Sequence, residues 1–447
     1  MHTTPLTESY INACTMQHDA EPLSWLKTHR KHAFEQLQQM GWPTRQQELW
    51  KYTNTSSITD TNFLFAGTKH DAIKQSDLDS ILLKQENIHE LVFINSQYKA
   101  EYSNIGTLAD GVSIGSFSAN LIQQPMLIEN IFNQFADQQH AFAALNTACF
   151  TDGAFIHVPD GVVIEEPIIV YFISSDAKEH LLNTPRSLIM LGKHAQASVI
   201  ENFYSLEGTK IFTNAVTEIH TAEDARLEYY KVQQGGSNSF HIGGTYIKQS
   251  RNSYLKSHAF TLGGAITRND ICVELAGEGA EIVFNGLYMG DEKQHVDNRT
   301  IVHHRKPKTQ SSSNYRGVLD DFAQGVFNGL VVVHEGAHQI QATQSNANLL
   351  LSDHAKINTK PALEIYADDV QCSHNATVGQ IDEDMLFYMQ SRGINKEIAK
   401  NVLVFAFANE IIRQIDCLPF RKWLQNNIGG DAQNRPYNSS GSATNIV

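Results

Sequence analysis

The sequence predicts a mainly β protein, a long β-solenoid with an α-helical region at either end. Three observations carry this. Between about residues 88 and 382, short alternating runs rich in Val, Ile, Tyr and Phe are separated by Gly, Asn, Asp and Ser, which is the pattern of strands and turns. Almost no helix-period pattern interrupts that span. A small-residue phrase also precedes several strands: Gly192-Lys-His-Ala195, Ala222-Glu-Asp-Ala225, Gly277-Glu-Gly-Ala280, Gly336-Ala-His-Gln339 and Ser352-Asp-His-Ala355. Such imperfect self-similarity marks a solenoid, with intervals that suggest one or a few coils of about twenty residues. Each coil buries its inward residues only by stacking on its neighbours. A large sandwich or two barrels is the competing reading, but sandwiches rarely run this long as one domain.

Taken in order, residues 1–87 read as helical. Ser24 to Met40 sets Trp25, Leu26, Phe34, Leu37 and Met40 at roughly helical spacing. Gly41-Trp42-Pro43 stops that helix, and Ser76-Asp-Leu-Asp-Ser-Ile-Leu-Leu reads as a second, capped one. Residues 88–382 form the β region, with Ala154-Phe-Ile-His-Val, Arg226-Leu-Glu-Tyr-Tyr-Lys-Val and Glu281-Ile-Val-Phe as typical strands. Helix returns over 383–428, where Ile398, Val402, Phe405, Ala406, Ile411 and Ile412 make a broad apolar stripe. That stripe either covers the end of the solenoid, which would otherwise expose β edges, or binds a partner. The tail, 429–447, is rich in Asn, Ser and Gly and reads as mobile.

Composition narrows the function. The 447 residues carry 34 Lys and Arg against 48 Asp and Glu, a formal net charge of −14. Such a chain is a poor candidate for nucleic acid, which is bound by basic surfaces, or for anionic membranes. No apolar run reaches the roughly 20 residues of a membrane span. The start, Met1-His-Thr-Thr-Pro, lacks the basic and apolar regions of a secretory signal. Five scattered cysteines, Cys14, Cys149, Cys272, Cys372 and Cys417, make no disulfide framework. A reducing cytoplasmic compartment is expected.

Several motifs fail on geometry. His334-Glu-Gly-Ala-His338 matches H-E-x-x-H, but zinc hydrolysis needs it on a helix. Here Leu330-Val-Val-Val runs into the motif and Gly336 interrupts it, so it reads strand–turn–strand. His303-His304 alternate faces on a strand and read as surface residues. Glu165-Glu166, Asp320-Asp321 and Asp368-Asp369 could serve a polysaccharide-active enzyme, yet neighbouring strand residues face opposite ways. No phosphate-binding loop is present, so the chain is not expected to bind ATP itself.

Cys372 and His374 remain. At i and i+2 of a strand they share a face, offering a thiol and an imidazole that suit zinc, copper or an iron–sulfur cluster. A cluster generally takes four protein ligands, and the other cysteines lie far away in sequence. The pair is therefore two structural residues, a labile site, or half of one shared across an interface.

The stretches Val296-Asp-Asn-Arg-Thr300, Tyr315-Arg-Gly-Val-Leu-Asp320, Gly325-Val-Phe-Asn-Gly329, Gln344-Ser-Asn-Ala-Asn348 and Thr359 through Cys372-Ser-His374 resemble the SufB/SufD family of iron–sulfur cluster assembly proteins. Trp50-Lys-Tyr-Thr53 and Phe155-Ile-His-Val-Pro-Asp-Gly161 extend the likeness upstream, and the Cys-Ser-His ending is SufD-like. The resemblance implies a right-handed parallel β-helix flanked by helices. It implies a scaffold subunit that pairs with a SufB-like subunit and a SufC-like ATPase, with a homodimer plausible in isolation. It further implies a transient iron–sulfur cluster at the subunit interface, with Cys372 and His374 as ligands, and ATPase docking through Arg392, Gly393, Ile394, Ile398, Val402 and Phe405. One departure is Asn375, where the family usually has glycine; Asn tolerates left-handed angles, so a turn there is expected to survive.

Overall fold

The computed structural model describes residues 5–66, 73–83, 88–136, 140–175, 180–206, 208 and 210–429. From residue 430 onward, the tail read as mobile lies outside the described residues. The β region is a parallel β-solenoid of about eight turns. Successive strands alternate between two facing sheets. One sheet ends on Lys356–Ile365 and runs back through Gln324–Val333, His295–His304, Ile266–Leu275, Ser239–Gln249 and Ile211–Thr221. The other ends on Val370–Gly379 and runs back through Ile340–Leu350, Gln310–Leu319, Glu281–Gly290, Tyr254–Gly263, Arg226–Gly235 and Gln196–Ser205.

The coil is longer than the sequence spacing suggested. Gln196 stands beside Arg226, Arg226 beside Tyr254 and Tyr254 beside Glu281, steps of 30, 28 and 27 residues. A coil must hold two strands of about ten residues and two corners. The small-residue phrases are corners. His194, Asp224 and Gly279 take positive φ (57°, 57° and 71°), and the alanine that follows each one, Ala195, Ala225 and Ala280, is wholly buried. The turn reverses the chain, and the alanine is small enough to sit inside the coil.

Alternate strand residues fill the interior. Val199, Leu227, Leu255, Ile282, Ile219, Ile247 and Val273 belong to one buried apolar cluster. Gly286 and Gly317 leave room for rings from neighbouring strands: an added Cβ would lie 2.1 Å from a ring carbon of Tyr315 and 2.3 Å from one of Tyr288. His304 is also inside, with no exposure, and its ring nitrogens bond Thr309 and Ser311 at 2.8 and 2.9 Å. This corrects its reading as a surface residue, since alternation alone does not say which face is inward.

The two ends differ. At the start, Gln97–Tyr98 pairs antiparallel with His89–Ile94, and Ser113–Ser116 pairs antiparallel with Ala154–Val158. Helices Phe117–Gln123, Pro125–Glu129 and Ala141–Cys149 fall inside the span read as β. With the N-terminal helices Glu8–Ala20 and Ser24–Met40 they cover the outer face of the first sheet, contributing Phe117, Ile128 and Leu26 against Phe155, Leu188 and Met190. Helix Gln75–Ile81 follows Lys74 and has no side-chain cap, contrary to expectation. Trp50 of Trp50-Lys-Tyr-Thr53 stacks under the Arg268 guanidinium, 3.9 Å from its ring centroid, and Arg268 in turn holds Asp297 at 2.6 Å and Asp270 at 2.9 Å. This motif therefore clamps the N-terminal region to the sheet.

At the far end, helices Glu383–Ser391, Lys396–Ile412 and Leu418–Gly429 do not cover the last coil as a lid. Val404, Ala408, Ile411, Ile412, Phe420 and Leu424 pack along the outer face of the second sheet, against Tyr230, Phe260, Leu287 and Val318. Polar ties fix the seam: Arg316 pairs with Glu410 and donates to the Phe407 carbonyl at 3.2 Å, and Lys400 meets Asp320 at 3.2 Å.

Candidate functional site at the open end of the solenoid

Among the described residues no strand pairs with the free edge of Lys356–Ile365 or of Val370–Gly379. Both strands hydrogen-bond on one side only, to Gln324–Val333 and to Ile340–Leu350. None of their residues is fully buried, unlike those of the coils before them. Two unpaired parallel edges side by side make a template for further strands. Ile365, Tyr366 and Val378, at 43%, 59% and 50% exposure, add apolar surface around it.

Cys372 and His374 lie on this edge. In register, Cys372 stands beside Ala342 and His374 beside Gln344. Ala342 and Gln344 are buried, so both ligand candidates belong to the inward-facing row at the mouth of the coil. The Cys372 side chain packs with Leu363, Ala367 and Val370 against Val331, Val333 and Ala342. It is half-buried, and that burial pushes its thiol up from the ordinary range. His374 is exposed. The thiol is thus protonated at neutral pH until a metal or cation favours thiolate. Among the described residues no group of three or more His, Cys, Asp and Glu is gathered as a metal site.

Asn375 does not turn the chain. It stays in register beside Ser345, in a strand that continues to Gly379, so the expected left-handed turn is absent. Beneath the mouth lies a polar row the sequence reading missed. Asn348 donates to the Thr377 carbonyl of the last strand at 3.3 Å and to Asn346 at 2.7 Å, and Asn346 donates to the Tyr315 carbonyl at 3.3 Å. Deeper inside, wholly buried Glu201 accepts from Thr217 at 2.8 Å and from Tyr229. Lys231, also buried, stands beside Glu201 in register. Burial holds the Lys231 ammonium down to about 8. The signal for these residues was present as polar residues at alternate strand positions, but only the register reveals that they face inward.

His334 and His338 flank a turn between Gln324–Val333 and Ile340–Leu350, so they share no helical face. His334 instead meets His303 at 3.1 Å and Arg305 at 3.0 Å.

The residues read as ATPase-docking split. Arg392 and Gly393 close helix Glu383–Ser391. Gly393 takes φ 86°, its N–H bonds Gln390 at 2.9 Å, and the Ile394 N–H bonds Met389 at 3.2 Å, a Schellman ending that favours glycine. Ile398 and Val402 are 50% and 47% exposed, and Phe405 is half-buried against the solenoid seam. The neighbouring helix adds exposed Met385, Phe387 and Tyr388. The apolar stripe therefore divides into an inner face that packs on the sheet and an outer face that stays open.

The family profile described as SUF system FeS cluster assembly, SufBD core domain, matches residues 172–407, and the SufBD protein N-terminal region matches residues 6–170. The chain belongs to the SufBD family. It is 31% identical over 379 residues to the iron–sulfur cluster assembly protein SufD of Escherichia coli, covering 84% of this chain and 86% of that one. It is 30% identical over 400 residues to an iron–sulfur cluster assembly SufBD family protein of Synechocystis, covering 88% of each. SufD of Bacillus subtilis is 25% identical over 427 residues, 93% of this chain and 96% of that one, whereas SufB of the same organism is 24% identical over 355 residues, 77% and 75%. The chain is SufD-like within its family. The solenoid thus corresponds to the family's core domain, and the clamp built on Trp50 falls in its N-terminal region.

Proposed function

We propose that this chain is a non-catalytic scaffold subunit in iron–sulfur cluster assembly. Its open solenoid end joins a SufB-like partner, and its C-terminal helices dock a SufC-like ATPase. The observation that carries the reading is the unpaired double edge bearing Cys372 and His374. Two donors cannot complete a cluster site, and among the described residues no strand pairs with the edge that holds them. A second subunit pairing along that edge would supply both the missing hydrogen bonds and the missing ligands. The nascent cluster is cargo, held transiently, with the exposed His374 imidazole as ligand and the Cys372 thiol as thiolate once iron arrives.

The outer face of the C-terminal helices supports the docking reading. Exposed Phe387, Tyr388, Ile398 and Val402 form an apolar surface on helices whose inner face is already satisfied. Ligand edge and helices are joined by only a few residues, from Gly379 to Glu383, so motion of the helices would act directly on the edge. Work in the cytoplasm fits cysteines that form no disulfide among the described residues. In isolation, the same edge is open to a second copy of the chain.

Anaerobic reconstitution with the two partners, followed by iron and sulfide analysis, tests this. Cys372→Ala and His374→Ala should each lower cluster content while complex formation persists. Normal cluster content in the double variant would leave the edge as a purely structural interface, with the ligands on the partner.

A further inference from the structure

We propose that His157, Met190 and His220 form a binding site for copper(I) on the outer face of the first sheet, remote from the open end. Their placement follows from the ladder. His157 stands beside Met190, and Met190 beside His220, on three adjacent parallel strands. Their chain neighbours Ile156, Val158, Ile189, Leu191 and Ile219 all belong to the interior cluster, so the three face outward together. Adjacent strands lie about 4.8 Å apart. The thioether therefore sits midway between two imidazoles, which can reach one ion from either side of it.

The three residues line one open pocket of about 250 Å³, together with Ile131, Ala222, Lys248 and Ser250. Nδ1 of His157 and Nε2 of His220 are both buried and have no hydrogen-bond partner. No protein group among the described residues engages either nitrogen, so both are available as donors. Met190 is 6% exposed, so its sulfur is held in the wall rather than free in solvent.

The donor set selects the ion. A thioether is a soft ligand that favours copper(I), and imidazole accepts copper readily. Hard divalent ions prefer carboxylate and carbonyl oxygens, and the three donors supply none. Lys248 occupies the next rung beside His220, with its ammonium 4.2 Å from the Phe135 ring centroid. A fixed positive charge there penalises a divalent ion about twice as much as a monovalent one.

The test is anaerobic titration of the full chain with copper(I), followed by NMR of protein labelled at the methionine methyls. One of the eight methionine methyls, assigned by its loss in Met190→Leu, should shift and saturate at one equivalent. Copper held on thiols elsewhere would leave that signal in place. His220→Gln should weaken the titration about tenfold or more, because even second-sphere changes cost a metal site that much. The remaining methyl signals of each variant, unchanged before copper is added, show that the fold is intact. If the Met190 methyl does not move at one equivalent, or moves equally in the His157→Gln/His220→Gln double variant, the site does not exist.

Discussion

The two ends of the solenoid are built from the same ladder and finished in opposite ways. The first coils end in antiparallel strands, and helices carrying Phe117, Ile128 and Leu26 seal their outer face. The last coil ends in two bare parallel edges, with Cys372 and His374 among them and the nearest helices turned aside along the flank. The first coils are finished by antiparallel pairing and the last is not, a contrast that separates residues holding the fold from residues left on the surface.

Breaking the closed end should cost most. Arg186 is fully buried, pairs with Glu218, and bonds Thr147 at 3.1 Å and Asn133 at 3.3 Å, which ties the covering helices to the sheet. Arg186→Ala strands the Glu218 charge and is expected to lower stability by about 3–5 kcal/mol in urea unfolding. Tyr366→Ser at the open end should change it by no more than about 0.5 kcal/mol. Equal losses would erase the distinction between the ends.

The C-terminal helices repeat the contrast at smaller scale. Ile411 is wholly buried on the flank, whereas Val402 on the same helix is 47% exposed. Ile411→Ala should cost about 2–5 kcal/mol in the same assay. Val402→Ala should leave unfolding nearly unchanged while weakening capture of the proposed ATPase partner, measured by co-purification.

A third difference is in pH. Burial first, then the neighbouring His303 and His334 charges, holds interior His304 down to about 4 from an ordinary 6.5. As pH falls below 6.5 the unfolded chain takes up a proton that the folded chain refuses until about 4. Stability is therefore lost across that window, at up to roughly 1.4 kcal/mol per pH unit for this group. His304→Gln should flatten the decline in urea midpoints between pH 6.5 and 5.

Much of this was legible in the sequence, for identifiable reasons. Strands showed through period-two alternation, and corners through Gly, Asp and small-residue phrases. The shared face of Cys372 and His374 followed from their spacing alone. Coil length was misjudged because the phrases mark corners and not the pairing of strands, which only the Gln196–Arg226 register reveals. Helix Ala141–Cys149 was invisible because all nine of its residues are buried, leaving no polar face to set a helical period. The site was half legible. Residue types named the candidate ligands, but nothing in a linear sequence says that their strand is the last of its sheet, or that Asn375 simply continues it.

The central claim is that the bare edge is an interface. Hydrogen–deuterium exchange of the chain, alone and mixed with the proposed SufB-like partner, tests it most directly. Edge amides of Lys356–Ile365 and Val370–Gly379 that exchange quickly in the free chain should become strongly protected in the complex, because they gain strand partners. A stable complex that leaves both strands exchanging as before, with protection only elsewhere, would contradict the account.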